Sequence, residues 1–130
     1  MVTPKELKYA KTHEWVRAEG PLAFVGITDY AQESLGDIVY VEPPEAGQEV
    51  KQSEEVATIE SVKAASPIYT PVSGKIERLN PLLEKKPELI NQKPYEAFLF
   101  VVRMSDPSEL TGLLDAAAYE SHVEQEKAAH

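Results

Sequence analysis

The 130-residue sequence contains no cysteine. Disulfide bonds, thiolate metal ligands and a cysteine nucleophile are therefore excluded. Any redox chemistry in which the protein takes part must come from a cofactor. The composition, 42% hydrophobic and 27% charged, is that of a globular protein, and the length fits one domain with a core of its own.

Basic residues are scarce as well, since 13 Lys and Arg stand against 22 Asp and Glu, which gives a formal net charge of −9. No cluster of Lys or Arg offsets this charge, so it would repel nucleic-acid phosphates and anionic lipid. The sequence therefore predicts neither a nucleic-acid partner nor a membrane surface. The acidity suits a protein that visits locally basic partners, and it equally serves solubility.

Long hydrophobic runs and catalytic motifs are also absent. The longest apolar run, "AFLFVV", is far too short to span a bilayer, and "MVTPKELKYAKTHEW" lacks the apolar region of a secretion signal. We expect a cytoplasmic protein, or one of an organellar matrix if the source is eukaryotic. Because there is no nucleophile–base pair, metal-ligand cluster or glycine-rich phosphate loop, we predict no metal site and no stand-alone enzyme.

Short β-type segments separated by closely spaced turn residues make up most of the chain. The segment 14–27, divided by Gly20-Pro21, predicts a hairpin, and Thr28 and Gly36 are suited to begin and end a short helix. Further strands are predicted at 38–41, at Val50, at 56–59, as two short strands about Pro71 and Gly74, and in 98–104.

The C-terminal segment changes to helical composition. Asp106 is a predicted N-cap, Pro107 suits the first helical position and Glu109 the third residue after the cap. Two helices are predicted, divided near 112–115. We therefore predict one mainly β, antiparallel domain over 1–130, with its core at about 8–105 and the C-terminal helices at about 107–128.

Lys63 lies in the middle of "EEVATIESVKAASPIYTP", with β-type residues on both sides. This pattern predicts a hairpin that presents Lys63 at its tip. Lysines at such places commonly prevent strand edges from associating. A Schiff-base or general-base lysine would need a desolvated pocket, which a hairpin tip does not give. An exposed amine suits the attachment of a long acyl arm that reaches several active sites in turn.

Four segments together resemble the H protein family of the glycine cleavage system: "HEWVRAEG", "VGITDYAQESLGDIVYVEPPEAGQEV", "IESVKAASPIYTPVSGKI" and "SDPSELTGLLDAAAYE". The resemblance covers nearly the whole chain. It implies a barrel-sandwich hybrid, the hammerhead-like fold of lipoyl and biotinyl domains, with short peripheral and C-terminal helices. It also implies a lipoyl group in covalent amide linkage on Lys63.

The resemblance implies further site residues. Biotinyl domains usually carry methionines beside the modified lysine, whereas Lys63 stands between Val62 and Ala64, which favours lipoate. Glu60 matches a position associated with lipoylation. Glu14 is our candidate for a carboxylate that holds the protonated amine of the loaded arm in a cleft, with His13 as a second candidate. Gly47 and Gly74 also match the family and are sufficiently explained as turn glycines.

The family implies a carrier rather than an enzyme. Glycine decarboxylase loads an aminomethyl group onto a lipoyl sulfur, an aminomethyltransferase removes it with tetrahydrofolate, and dihydrolipoamide dehydrogenase reoxidises the dithiol. A lipoate ligase or lipoyl synthase supplies the lipoyl group. The protein would be a monomer, because a carrier must diffuse between partners.

One segment, "NQKPYEAFLFVV", departs from the family pattern, in which Pro-Tyr-Gly, a second glycine and a tryptophan lead into the last strand. Glu96 and Ala97 are poorly suited to a left-handed glycine turn, and Phe98 or Leu99 replaces the tryptophan. This departure leaves two alternatives. One is a lipoate-binding protein that carries sulfur intermediates to a heterodisulfide-reductase-like complex in sulfur oxidation. The other is an interaction module in which Lys63 is never modified.

Overall fold

The computed structural model describes residues 2–129, and its β-strands form two antiparallel sheets. The strands are β1 (Lys8–Tyr9), β2 (Glu14–Glu19), β3 (Leu22–Ile27), β4 (Ile38–Glu42), β5 (Glu49–Val50), β6 (Glu55–Ser61), β7 (Ala65–Tyr69), β8 (Gly74–Leu79) and β9 (Phe100–Met104). The larger sheet has the order β1-β2-β3-β9-β8-β5 and the smaller one β4-β6-β7.

Helices lie around these sheets. They are α1 (Asp29–Leu35), α2 (Leu82–Lys85), α3 (Leu89–Gln92), a 3-10 helix (Pro107–Gly112) and α4 (Ala116–Ala129). Among the described residues, no helix is long and apolar enough to cross a membrane. Side chains of both sheets form one hydrophobic core, which includes Val25 of β3, Ile59 of β6 and Val102 of β9. The mainly β barrel-sandwich architecture is therefore confirmed, and the two sheets do not close into one barrel.

The predicted hairpin is formed by β2 and β3, with Glu14 paired to Ile27 at the open end and Glu19 to Leu22 at the turn. Thr28 caps α1 as predicted, because its side-chain oxygen accepts a hydrogen bond from the Ala31 amide. β3 also pairs with β9 inside the larger sheet. Because α1 begins two residues after β3 ends, the start of α1 lies at that end of the sheet.

The structure differs from the sequence predictions in three segments, the first of which is the two-residue strand β1, which no pattern indicated. The residues 82–92 form α2 and α3, which the proline- and lysine-rich sequence did not predict. After Asp106 the first C-terminal helix is 3-10 rather than α. Glu109 lies in its first turn, but its carboxylate accepts hydrogen bonds from the backbone amide and hydroxyl of Ser73, at 2.7 and 2.8 Å. The Glu109 carboxylate thus bonds the turn before β8 instead of the N-terminal amides of its own helix.

Candidate functional site

Lys63 lies at the exposed tip of the β6–β7 hairpin, as predicted, next to the pair formed by Glu60 and Ala65. Ser61 fixes the tip. Its amide donates to the Ala64 carbonyl at 2.8 Å, and its hydroxyl oxygen accepts from the Lys63 and Ala64 amides at 3.3 and 3.2 Å. Because these backbone groups are bonded locally, the tip presents Lys63 on a defined turn rather than on a loose loop.

Two contacts hold this tip against the end of α1. The Val62 amide donates to the Asp37 carbonyl at 3.0 Å, and the Lys63 ammonium donates to the Ser34 carbonyl at 3.0 Å. Gly36, with φ 79°, ends the helix, and a Cβ at this glycine would lie 3.2 Å from Lys63 Cε. The last carbonyls of a helix lack partners within it, so they form a natural acceptor for an amine.

Asn91 of α3 secures the same helix end. Its Nδ2 donates to the Gly36 carbonyl at 2.8 Å and to Gln32 Oε1 at 3.0 Å, while its Oδ1 accepts from the Ile38 amide at 3.0 Å. No sequence pattern indicated this role, because α3 was not predicted and the partners are more than 50 residues away. Asn91 is therefore a residue that only the fold places near Lys63.

Replacing Asn91 with alanine should lower the free energy of unfolding by about 2 kcal/mol, because it leaves three part-buried polar groups without their partner. Urea denaturation of the purified proteins measures this difference. Gln92→Ala is the matched control, since Gln92 is an exposed neighbour on the same helix. Equal losses in the two variants would contradict a special role for Asn91.

A cleft of about 130 Å³, here called the Lys63 cleft, runs beside α1. Its lining residues are Thr12, His13, Ile27, Tyr30, Ala31, Ser34, Leu35, Ser66, Pro67 and Ile68. Ser34 belongs both to this lining and to the contact with the Lys63 amine. An acyl arm attached to Lys63 therefore has an adjoining cleft with apolar side chains and hydroxyl groups.

Glu14 is buried, with 1% of its surface exposed, and it does not itself line the cleft. Thr12 and Ile27 line the cleft, and both adjoin Glu14: the Thr12 hydroxyl donates to Glu14 Oε1, and Ile27 is its strand partner. Glu14 Oε2 accepts from the Tyr69 amide at 3.1 Å. Burial raises the pKa of Glu14 to about 7, although both hydrogen bonds act to lower it.

His13 lines the same cleft from the loop before β2, with an unusual φ of 77°. Its Nδ1 lies 2.8 Å from the Tyr119 hydroxyl, and its Nε2 lies 2.8 Å from Glu126 Oε2. Burial lowers the pKa of His13, and the Glu126 carboxylate acts in the opposite direction. These links to α4 were not predicted, because the partners are more than 100 residues away in the sequence.

Of the four predicted site residues, one lines the cleft and two others contact residues that line it. Lys63 stands at Ser34, His13 lines the wall and Glu14 lies behind Thr12 and Ile27. Glu60 is exposed at the end of β6, where it pairs with Tyr40 and Ala65, and it does not line the cleft.

A larger groove of about 490 Å³ lies between the segments 9–12, 52–53, 69–71 and 112–114. It shares Thr12 with the Lys63 cleft, but no residue of α1 lines it, whereas the Lys63 cleft includes Ser34, which contacts the Lys63 amine. The smaller cleft is therefore the better candidate for a group held by Lys63.

The turn that departs from the family pattern packs against the other end of α1. The Tyr95 hydroxyl accepts from the Asp29 amide at 3.0 Å, and the Pro94 carbonyl accepts from Trp15 Nε1 at 3.0 Å. Among the described residues, positive φ outside glycine occurs at His13 and Ser53 alone, so Glu96 and Ala97 need no glycine-like conformation. The expected conflict at Glu96 and Ala97 is absent because the turn is right-handed.

Comparison with known proteins agrees with this architecture. The family model described as "Glycine cleavage H-protein" matches residues 7–126. The chain is 55% identical over 123 residues to the glycine cleavage system H protein of Thermotoga maritima, covering 94% of this chain and 99% of that one. It is 53% identical over 127 residues to the H protein of Thermus thermophilus, covering 97% and 99% of the two chains.

A solved structure shows the same fold. The crystal structure of a glycine cleavage system H protein from Mycobacterium marinum matches with a TM-score of 0.85 and 33% identity, over 93% of this chain and 98% of that one. The chain therefore belongs to the glycine cleavage H-protein family.

Proposed function

We propose that the protein is a lipoyl carrier of glycine cleavage and that Lys63 bears the lipoyl group as an amide. Proteins of this family carry lipoate and work with the enzymes of the glycine cleavage system. The observation that carries the assignment to Lys63 is its exposed place on a hydrogen-bonded hairpin tip beside a cleft. The protein serves as a carrier subunit and not as an enzyme.

The residues around Lys63 fit a long, mostly apolar acyl arm. The tip leaves the amine accessible to a ligase, while Ser61 and Asp37 hold the backbone of the turn in place. When bound, the lipoyl group would supply a disulfide that accepts an aminomethyl group as it is reduced. The apolar side chains Ile27, Ala31 and Leu35 of the Lys63 cleft would keep water away from the loaded end of the arm.

Glu14 supports the proposal as a buried carboxylate that contacts Thr12 and Ile27 of the cleft lining. A protonated amine in the cleft would favour the ionised carboxylate, since an opposite charge lowers a pKa that burial has raised to about 7. The amine would compete with the Thr12 hydroxyl for one oxygen of Glu14. His13 would form part of the wall, and exposed Glu60 would contact the lipoylating enzyme rather than the stored arm.

Intact-mass measurement tests this function. The protein, purified from a host that makes lipoate, is expected to carry one lipoyl group, and Lys63→Arg is expected to carry none. Lys75→Arg is the matched control, because Lys75 is an exposed lysine on β8, and it should be lipoylated like the natural protein. Incubation with glycine and a pyridoxal-phosphate glycine decarboxylase should then add an aminomethyl group to the lipoylated forms alone.

The other outcomes separate the alternatives. Lipoate without an aminomethyl load would contradict the glycine cleavage role and favour the carriage of sulfur intermediates. A mass without any acyl group, in a host that lipoylates a known carrier, would favour the unmodified interaction module. The partners we propose are glycine decarboxylase, the aminomethyltransferase, dihydrolipoamide dehydrogenase and a lipoylating enzyme. The carrier would be a monomer that diffuses between them.

A further inference from the structure

Two histidines and a glutamate meet where α4 packs against the loop before β2. His122 and Glu126 lie one turn apart on α4, and His13 reaches them from the loop. One nitrogen or oxygen atom of each side chain lies within 4.8 Å of those of the other two. These three residues are called the His–Glu cluster below. No sequence motif indicated it, because His13 is more than 100 residues from its partners.

The two imidazoles contact different oxygens of one carboxylate. His13 Nε2 lies 2.8 Å from Glu126 Oε2, and His122 Nε2 lies 3.3 Å from Glu126 Oε1. Two imidazoles and one carboxylate, with a fourth position open to solvent, form a ligand set that suits Zn²⁺. We propose that the His–Glu cluster binds one zinc-class divalent cation through His13, His122 and Glu126.

The distances are close to those that such a site requires. Bonds from zinc to nitrogen and oxygen are about 2.0–2.2 Å, which places the ligand atoms of a tetrahedral site roughly 3.4 Å apart. His13 Nε2 and His122 Nε2 lie 2.8 and 3.3 Å from two different oxygens of Glu126. One ligand atom from each residue lies within 4.8 Å of the other two, so side-chain rotations must bring both nitrogens toward one oxygen. The side chains are 17–34% exposed, so an ion reaches them from solvent.

The hydrogen bonds of His13 hold its ring in place on both sides. In the neutral ring, Nε2–H donates to Glu126 Oε2 at 2.8 Å and Nδ1 accepts from the Tyr119 hydroxyl at 2.8 Å. A cation must displace the Nε2 proton, after which Nδ1–H can donate to the Tyr119 hydroxyl. Tyr119 can in turn donate to Thr28 Oγ1 at 2.7 Å. Tyr119 is fully buried, so this chain of hydrogen bonds holds the ring in a fixed orientation.

Three features oppose cation binding and limit the expected affinity. The first is the hydrogen bond from His13 Nε2–H to the carboxylate of the cluster, which a cation must replace. His122 Nε2 also lies 2.9 Å from the Lys11 carbonyl, and this hydrogen bond must be given up when the nitrogen binds a cation. The ammonium of Lys127 lies over the Tyr30 ring, 5.7 Å from its centre, next to His13. Metal ligands must be deprotonated to bind, so cation binding weakens as the pH falls.

A bound cation would bridge α4 to the loop that forms one wall of the Lys63 cleft, because His13 belongs to both. This role is independent of the lipoyl group. The competing explanation is that the same three side chains form only a hydrogen-bonded contact between α4 and this loop.

Calorimetric titration of the full-length chain with Zn²⁺, after treatment with a chelator, tests the proposal. The Lys63→Arg background is used so that no lipoyl sulfur binds zinc. We expect one ion per chain with a dissociation constant of about 1–10 µM, and a melting temperature that rises by several degrees with zinc. His122→Ala and Glu126→Gln should each weaken binding at least about 10-fold, and Tyr119→Phe about 10-fold.

Glu124→Gln is the matched control for lost charge, since Glu124 is an exposed acidic residue on the same helix, and it should bind zinc as the parent does. Absence of zinc binding in the parent, or equal binding in His122→Ala and Glu126→Gln, would overturn the proposal and leave the hydrogen-bonded contact. Circular dichroism verifies that each variant is folded. Glu126→Gln nearly preserves side-chain shape, so it separates loss of a ligand from loss of packing.

Discussion

Replacing Gly74 with alanine is expected to lower the free energy of unfolding by about 3–5 kcal/mol. Gly74 begins β8 with φ 155°, and a Cβ there would lie 2.0 Å from the Arg103 carbonyl oxygen of β9. The same Cβ would lie 2.9 Å from Val102 Cγ1. The strand cannot move away without loosening the Gly74–Met104 pair. The substitution therefore combines an unfavourable backbone conformation with overpacking.

Urea denaturation of Gly74→Ala beside two control variants separates these causes. Gly112→Ala should change stability by less than about 0.5 kcal/mol, because its Cβ would meet nothing within 4 Å. Gly47 has φ 88°, and a Cβ there would also meet nothing within 4 Å. Gly47→Ala therefore measures the backbone strain alone, and it should lower the free energy of unfolding by about 1 kcal/mol. A loss at Gly74 no larger than that at Gly47 would show that β8 and β9 adjust to the added methyl group.

Glu14 should make the protein less stable as the pH rises. Its pKa is about 7 in the folded protein against an ordinary value of 4.5, because burial disfavours the charged form. Between these two pH values the folded state binds more protons than the unfolded state, so the free energy of unfolding falls with increasing pH. One pKa unit corresponds to about 1.4 kcal/mol, and the expected fall is therefore about 3 kcal/mol between pH 4.5 and 8.

The Glu14→Gln variant should lack this fall, because the amide keeps an acceptor for the Tyr69 amide and cannot ionise. Unfolding free energies measured from pH 4.5 to 8 for both proteins give the difference directly. Glu124→Gln serves as the control, since it removes an exposed carboxylate, and its profile should follow the natural protein. Because His13 is common to all three proteins, its titration cancels in the comparison. Parallel profiles for Glu14→Gln and the natural protein would falsify the expectation.

The features predicted most directly from sequence are those that depend on neighbours in the chain. The β2–β3 hairpin follows from apolar residues around Gly20-Pro21, and α1 follows from Thr28 and Gly36 at its ends. The place of Lys63 at a hairpin tip has the same local origin. The functional assignment of Lys63 came from resemblance to a family, and the family was then confirmed over residues 7–126.

Prediction from local sequence patterns was least accurate in segments whose conformation is set by tertiary packing. The short helices α2 and α3 have no side-chain caps, and their sequence is interrupted by proline and lysine, so periodicity did not indicate them. Glu96 and Ala97 were expected to disturb a glycine turn. The chain instead forms right-handed turns there, with both amides bonded to the Lys93 carbonyl at 3.0 and 2.9 Å.

The sequence by itself determined the strands, the capped helix and the exposed lysine, because turns, caps and alternating apolar residues act within a few residues. Only the tertiary structure decided that His13 meets His122 and Glu126, that Asn91 secures the end of α1, and that Glu14 is buried. These contacts join residues far apart in the chain. Their burial and distances depend on how the two sheets and α4 pack, which no local pattern encodes.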